Sequence, residues 1–234
     1  MYIYCTGSEG YIMSSDYLTF SDLPKSILRP LGVDEFAAII GVSRRTMIRL
    51  VKNGTLPKSP FHRSRSTSTP DAWPMMKPAA CPMAYFDVTT GPLLSSQMRR
   101  RMIQQIGRIL QGRAPNEIFE IEALRIDLPL SISQAVSRMA ALAAAEAEVI
   151  SDPGIRGGLP VIRGTRIGVY EIADLSKGEP DEYILEQFPS LTRTRLEHAR
   201  LYAKAHPLPR RVGGSDRPRP PGIRTHVITT KLLS

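Results

Sequence analysis

A chain of 234 residues with 42% hydrophobic residues, 20 prolines and a formal net charge of +9 is globular in part, has Pro-rich connectors and favours a polyanionic partner. No run of 18 apolar residues is present, the N-terminus has no basic segment ahead of an apolar core, and the two cysteines, Cys5 and Cys81, have no metal-ligand spacing. A membrane span, a signal peptide and a disulfide framework are therefore not expected, and a reducing cytoplasm is the expected location.

The charge is unevenly distributed. Residues 1–78 carry a net +4 and residues 207–234 a net +5, whereas 79–150 and 151–206 are each neutral. Residues 1–16 show no periodicity and read as disordered or as a mis-assigned start, with Met13 an alternative first residue. Residues 17–57 read as a helix-turn-helix. The segment DEFAAII (Asp34 to Ile40) is a short helix, Gly41-Val42 a tight turn, and Ser43 the cap of a second helix from Arg44 to Lys52. Val42, Met47, Leu50, Val51 and Leu56 are expected to face a core, and Arg44, Arg45, Thr46, Ile48, Arg49 and Lys52 to point outward. The preceding SDLPKSILRPLG reads as an insertion or an ambiguous join. The string GVSRRTMIRLVKNGTLP resembles the excisionase and MerR-like class, in which Leu-Pro after the glycine leads into a small wing. A recognition helix needs long donors near its N-terminus to reach base edges, and arginine suits guanine best. Arg44, Arg45, Thr46, Arg49 and Lys52 are thus the expected DNA contacts. A solvated basic face is the plain alternative.

Residues 58–82 are rich in Pro, Ser and Thr and read as a linker or a basic wing carrying Lys58, His62, Arg63 and Arg65. Residues 83–148 read as a strand–helix–strand–helix bridging module. Ala84–Thr89 alternates like a strand, and Ser95 or Ser96 caps a helix from Gln97 to Leu110 with a Met/Ile packing stripe. The consecutive Arg99, Arg100 and Arg101 fan around that helix and form no single patch. Phe119–Leu128 alternates as one strand, and Ser131 or Ser133 caps a long Ala-rich helix ending near Glu146. The module is expected to support a homodimer through strand pairing or the Ala face.

Residues 149–206 begin with dense turn chemistry (Asp152-Pro153-Gly154, Gly157-Gly158, Pro160, Gly164) around two short strands, Glu148–Ser151 and Leu159–Arg163. Helices follow at Val169–Lys177, Asp181–Phe188 and, capped by Thr192, Arg193–Ala205. They form a trihelical, helix-turn-helix-like unit with a short β-hairpin. The fold class expected for the whole chain is mainly α with short strands.

The string DPxIxGGxPVIxGTRI from Asp152 to Ile167, followed by Gly178, FPxLT from Phe188 to Thr192 and AxxYA from Ala199 to Ala203, resembles the domain of unknown function numbered 433. The resemblance implies an antitoxin of the VapB-like class that pairs with a PIN-like ribonuclease toxin and, in longer members, carries an N-terminal helix-turn-helix. In this chain it implies operator DNA and a toxin as partners, a type II toxin–antitoxin function, and toxin contacts at Arg163 and Arg166. Arg210 and Arg211, in the basic tail 207–234, are the other expected toxin contacts, attracted by an acidic nuclease site. No catalytic residue, cofactor or metal is expected. Asp152, Glu171, Asp174, Asp181 and Glu182 read as turn and helix-surface carboxylates, and the four histidines share no ligand spacing. A stand-alone transcriptional regulator is the alternative function, with Arg193, Arg195 and Arg200 of the last helix meeting phosphates.

Overall fold

The computed structural model describes residues 18–52, 61–62, 75–115, 118–121 and 124–208. Among these it is mainly α-helical with short antiparallel strands. The elements are α1 (Val33–Ile40), α2 (Arg44–Lys52), β1 (Phe61–His62), β2 (Met75–Met76), α3 (Ala80–Thr89), α4 (Ser96–Leu110), β3 (Ile118–Ile121), β4 (Leu124–Asp127), α5 (Leu128–Ala147), β5 (Val149–Ile150), β6 (Val161–Ile162), α6 (Val169–Leu175), α7 (Asp181–Gln187) and α8 (Arg193–Ala205).

Two hydrophobic cores organise the chain. The larger takes Phe36 and Ile39 from α1, Met47 from α2, Phe86 from α3, Met102 and Ile106 from α4, and Met139 and Leu142 from α5. Ile27 and Leu31 are fully buried in it, so the segment before α1 is a working part of the core. The smaller core closes under the C-terminal helices, with Ile162, Val169, Ile172, Ile184, Leu191, Leu196 and Ala199. Helix α8 belongs to both: Leu196 and Ala199 lie in the second core, Ala205 in the first.

Three expectations fail for physical reasons. Residues 84–89 form no strand; they are the second half of α3, which packs against α1, α4 and α5. Ala80, Cys81, Met83, Ala84, Phe86 and Asp87 are buried, with Tyr85 and Val88 half-buried and Thr89 exposed, so burial dominates α3 and leaves little helical periodicity to read. Cys81, expected in the linker or wing over 58–82, is instead buried in α3. Residues 119–128 are not one strand but an antiparallel hairpin, β3 with β4, in which Phe119 faces Ile126 and Glu120 faces Arg125. Finally, α5 is capped by Asp127, whose Oδ1 accepts from the Leu130 N–H at 2.8 Å, and Pro129 sits inside its first turn, where a missing N–H costs nothing. The Ala face of α5 is occupied within the chain, since Ala135, Ala143 and Ala145 are buried.

Candidate functional site

The first surface of interest is built by α1, α2 and the strands that follow. Gly41, at φ +78°, ends α1 and its N–H donates to the Ala37 carbonyl. Ser43 then caps α2, its Oγ accepting from the Thr46 N–H at 3.1 Å. The helices are thus joined by a three-residue turn. Met47 is fully buried beneath α2, with Val42, Ile48, Leu50 and Val51 packed at the edge of the core. Ile48 therefore packs inward and does not join the outward-facing residues. Leu31 pairs antiparallel with Met76, with N···O distances of 2.8 and 2.9 Å, and β1 pairs with β2. A small β-ladder so borders the helix pair.

The five candidate DNA contacts on α2 separate in their roles. Arg44 forms an ion pair with Asp34 of α1 and ties the two helices together. Thr46 is half-buried, its hydroxyl 2.9 Å from that of Ser43. Arg45, Arg49 and Lys52 are exposed. Arg45 and Arg49 have no acidic partner among the described residues. They stand one helical turn apart on the same face.

The C-terminal unit is held by its turns. Asp152 Oδ1 accepts from the Gly154 N–H at 2.8 Å, the expected Asp turn. Gly157, Gly158 and Gly164 all take positive φ (67°, 84° and 75°), a conformation that favours glycine, so these motif positions set the backbone. Strands β5 and β6 pair antiparallel, Val149 with Ile162 and Ile150 with Val161. Of the expected toxin contacts, Arg163 donates from Nε to the Ala147 carbonyl at 2.9 Å and so fastens the hairpin to the end of α5. Arg166 is exposed, while Arg210 and Arg211 lie outside the described residues. Four carboxylates of this unit are paired with cations: Glu171 with Arg156, Asp174 with Lys177, Asp181 with Arg193 and Arg200, and Glu182 with Arg193. The side-chain hydrogen bond from Arg156 holds Glu171 below its ordinary pKa, and that from Arg200 does the same for Asp181.

Between the two units lies a cluster that no sequence spacing announced. Arg29 Nη2 donates to Glu35 Oε1 at 2.5 Å and to Glu146 Oε1 at 2.9 Å. His206 Nε2 stands 3.0 Å from the same Glu146 oxygen, and its Nδ1 3.9 Å from Glu35 Oε1. Glu35 also accepts from the Gly32 N–H at 2.6 Å, closing the first turn of α1. The ring of His206 lies 4.6 Å from that of Tyr202, and its carbonyl accepts from the Tyr170 hydroxyl at 2.6 Å. Glu35, Glu146 and His206 present ligand-type atoms within 4.8 Å of one another. The Arg29 guanidinium already supplies the cation between the carboxylates, so the cluster is an ionic seam. Burial pushes the Glu35 carboxyl up, but hydrogen bonds from Arg29 and Gly32 outweigh it and leave the group below its usual range.

Residues 149–203 match the family described as "Protein of unknown function (DUF433)". The chain is also 31% identical over 193 residues to "Uncharacterized protein y4eO" of Sinorhizobium fredii (strain NBRC 101917 / NGR234), an alignment covering 78% of this chain and 84% of that one.

The chain belongs to the y4eO family.

No solved structure matches it. The y4eO alignment extends well beyond the 55 residues of the DUF433 unit, so it includes much of the α1–α5 part of the molecule. In this y4eO-family chain the DUF433 unit is the hairpin β5–β6 with α6, α7 and most of α8. No described helix is long and apolar enough to cross a membrane.

Proposed function

We propose that the chain is the antitoxin of a type II toxin–antitoxin pair: a cytoplasmic homodimer that binds its own operator DNA through α2 and neutralises a PIN-like ribonuclease through its C-terminal part. The observation that carries the DNA-binding half is the pair Arg45 and Arg49. They are exposed on a Ser-capped helix behind a three-residue turn, beside a β-ladder, and free of acidic partners among the described residues. Such arginines reach base edges and phosphates when the helix enters a major groove. Arg44 is engaged by Asp34 and serves as a brace for the helix pair.

The toxin-directed half rests on the DUF433 match over residues 149–203 and on the antitoxin role that the motif's resemblance implies. Arg166 is its exposed candidate contact, with the basic tail, including Arg210 and Arg211, continuing beyond α8. Arg163 is assigned instead to holding the hairpin. The alternative in which α8 is a second DNA reader loses support from its ion pairs: Arg193 with Asp181 and Glu182, Arg195 with Glu148, and Arg200 with Asp181.

The experiment is co-expression of the full chain with the adjacent open reading frame, together with a reporter driven by the upstream DNA. The neighbour alone is expected to arrest growth, and the full chain to restore growth and repress the reporter. Arg45→Ala with Arg49→Ala is expected to lose repression and keep rescue. A harmless neighbour, or toxicity that the chain never relieves, refutes the antitoxin half. Undiminished repression by the double variant refutes the assignment of α2.

A further inference from the structure

Helix α4 ends in a concavity of about 330 Å³, lined by Arg101, Gln104, Arg108, Arg113, Pro115 and Phe119. Its construction is local. Met102, Ile103 and Ile106 bury one face of α4, which turns Arg101, Gln104 and Arg108 outward at spacings of three and four. At the end of the helix Gly112 takes φ +66°, and the reversed chain lets the Arg113 N–H donate to the Arg108 carbonyl at 2.8 Å. That turn brings a third guanidinium to the same hollow. Phe119 of β3 supplies an aromatic wall.

The electrostatics are one-sided. No Asp or Glu stands between Asp87 and Glu117 in the sequence. Of the arginine triple, Arg99 turns inward to the buried Asp87, whereas Arg101 remains exposed at the groove. Arg101, Arg108 and Arg113 have no acidic partner among the described residues. Elsewhere Arg29, Arg44, Arg156, Arg193, Arg195 and Arg200 are all paired with carboxylates. Three guanidiniums around one hollow, without an acidic partner among the described residues, repel each other, and an anionic ligand relieves that repulsion. The arginine triple itself fans around α4 as expected; the patch forms because Arg101 shares its face with Arg108 and the Gly112 turn adds Arg113.

From this arrangement we propose that the α4 groove is a binding site for single-stranded nucleic acid, separate from α2. The guanidinium forks match backbone phosphates, Gln104 offers an amide that hydrogen-bonds base edges, and Phe119 is a platform for an unpaired base. About 10 Å of helix rise separates Arg101 from Arg108, so consecutive phosphates of one strand are in reach. A rigid duplex has no splayed base to place on Phe119, which favours the single strand.

The test is fluorescence anisotropy on the full chain with labelled 20-mers of oligo-U RNA and oligo-dT DNA, a 20-base-pair duplex, and poly-glutamate as competitor. Arg101→Gln with Arg108→Gln and Arg113→Gln is expected to weaken single-strand binding at least tenfold at about 0.1 M salt. It is also expected to lower the log–log salt slope by about 2, at roughly 0.7 for each phosphate no longer neutralised by a guanidinium. Phe119→Leu is expected to weaken binding severalfold with the slope unchanged, a split that mere destabilisation does not produce. The triple lysine variant is expected to keep the slope. Stronger binding of oligo-U than oligo-dT assigns the groove to RNA, and the reverse assigns it to DNA. Unchanged affinity and slope in the triple glutamine variant overturn the proposal. So does equal displacement by poly-glutamate combined with no effect of Phe119→Leu, which would make the groove a site for acidic protein segments.

Discussion

His206, at the end of α8, places Nε2 3.0 Å from Oε1 of Glu146, near the end of α5, and so closes the C-terminal unit onto the first core. Arg29 holds the same oxygen from the other side. The seam joins four parts of the chain: the segment before α1, α1 itself, α5 and α8.

Removing Arg29 from that seam leaves Glu35 charged, largely enclosed and short of its main partner. Arg29→Met is expected to destabilise the chain by about 2–3 kcal/mol in denaturant melts, below the full range for a buried pair because the Arg29 side chain is 40% exposed. Adding Glu35→Gln is expected to recover part of that loss, since no unpaired buried charge then remains. Strict additivity of the two changes would show that the pair is not coupled.

The same carboxyl sets an acid limit. The folded-state pKa of Glu35 is depressed below its ordinary 4.5. Its contribution to stability is therefore present above pH 4.5 and lost as pH falls through the folded value. A series of Tm measurements from pH 6 to 3 should decline below about 4.5, and Glu35→Gln should decline less steeply. Glu171, Asp181 and Glu182, also lowered by arginine partners, keep some acid dependence in the variant.

Asp87 lies fully buried in α3, with Arg99 on Oδ1 and no hydrogen-bond partner for Oδ2 among the described residues. Arg99→Ala is expected to cost about 3 kcal/mol, because it strands a carboxylate inside the core. Asp87→Asn with Arg99 intact should cost less, since the buried group is then neutral. Urea unfolding of the two variants tests the order; an Asn variant as unstable as Arg99→Ala contradicts it.

Gly164 follows β6 with open space where a Cβ would project. Gly164→Ala is expected to lose about 1 kcal/mol through backbone conformation alone. A thermal melt with no loss would show that the turn tolerates an L-residue.

The ends of the chain's helices were legible because their caps are local. Ser43, Ser95 and Thr192 accept the backbone N–H bonds that their positions promised, and α8 has the expected bounds of Arg193 and Ala205. Helix α3 was illegible because most of its residues are buried and apolar, which leaves little period to read. The β3–β4 hairpin was missed because the residues between its strands, Glu122 and Ala123, contain no Gly, Pro or Asn to mark a reversal. Among the candidate site residues, exposure of Arg45 and Arg49 followed from helical phase. The fates of Arg44 and Arg163 did not, since Asp34 and the Ala147 carbonyl become their partners only through tertiary packing. The Arg29–Glu35–Glu146–His206 seam draws on residues spread over most of the chain, beyond any spacing rule.

Helix α8 is a shared beam. Its first half is mortared into the C-terminal core, and Ala205 near its far end into the other, where it also packs against α1. The two halves therefore share one structural element. A ligand that grips the C-terminal unit and resets α8 must also reset the footing of α1 and, with it, α2. Reciprocity then requires that whatever factor such a ligand imposes on binding at α2, occupancy of α2 imposes on the ligand in return.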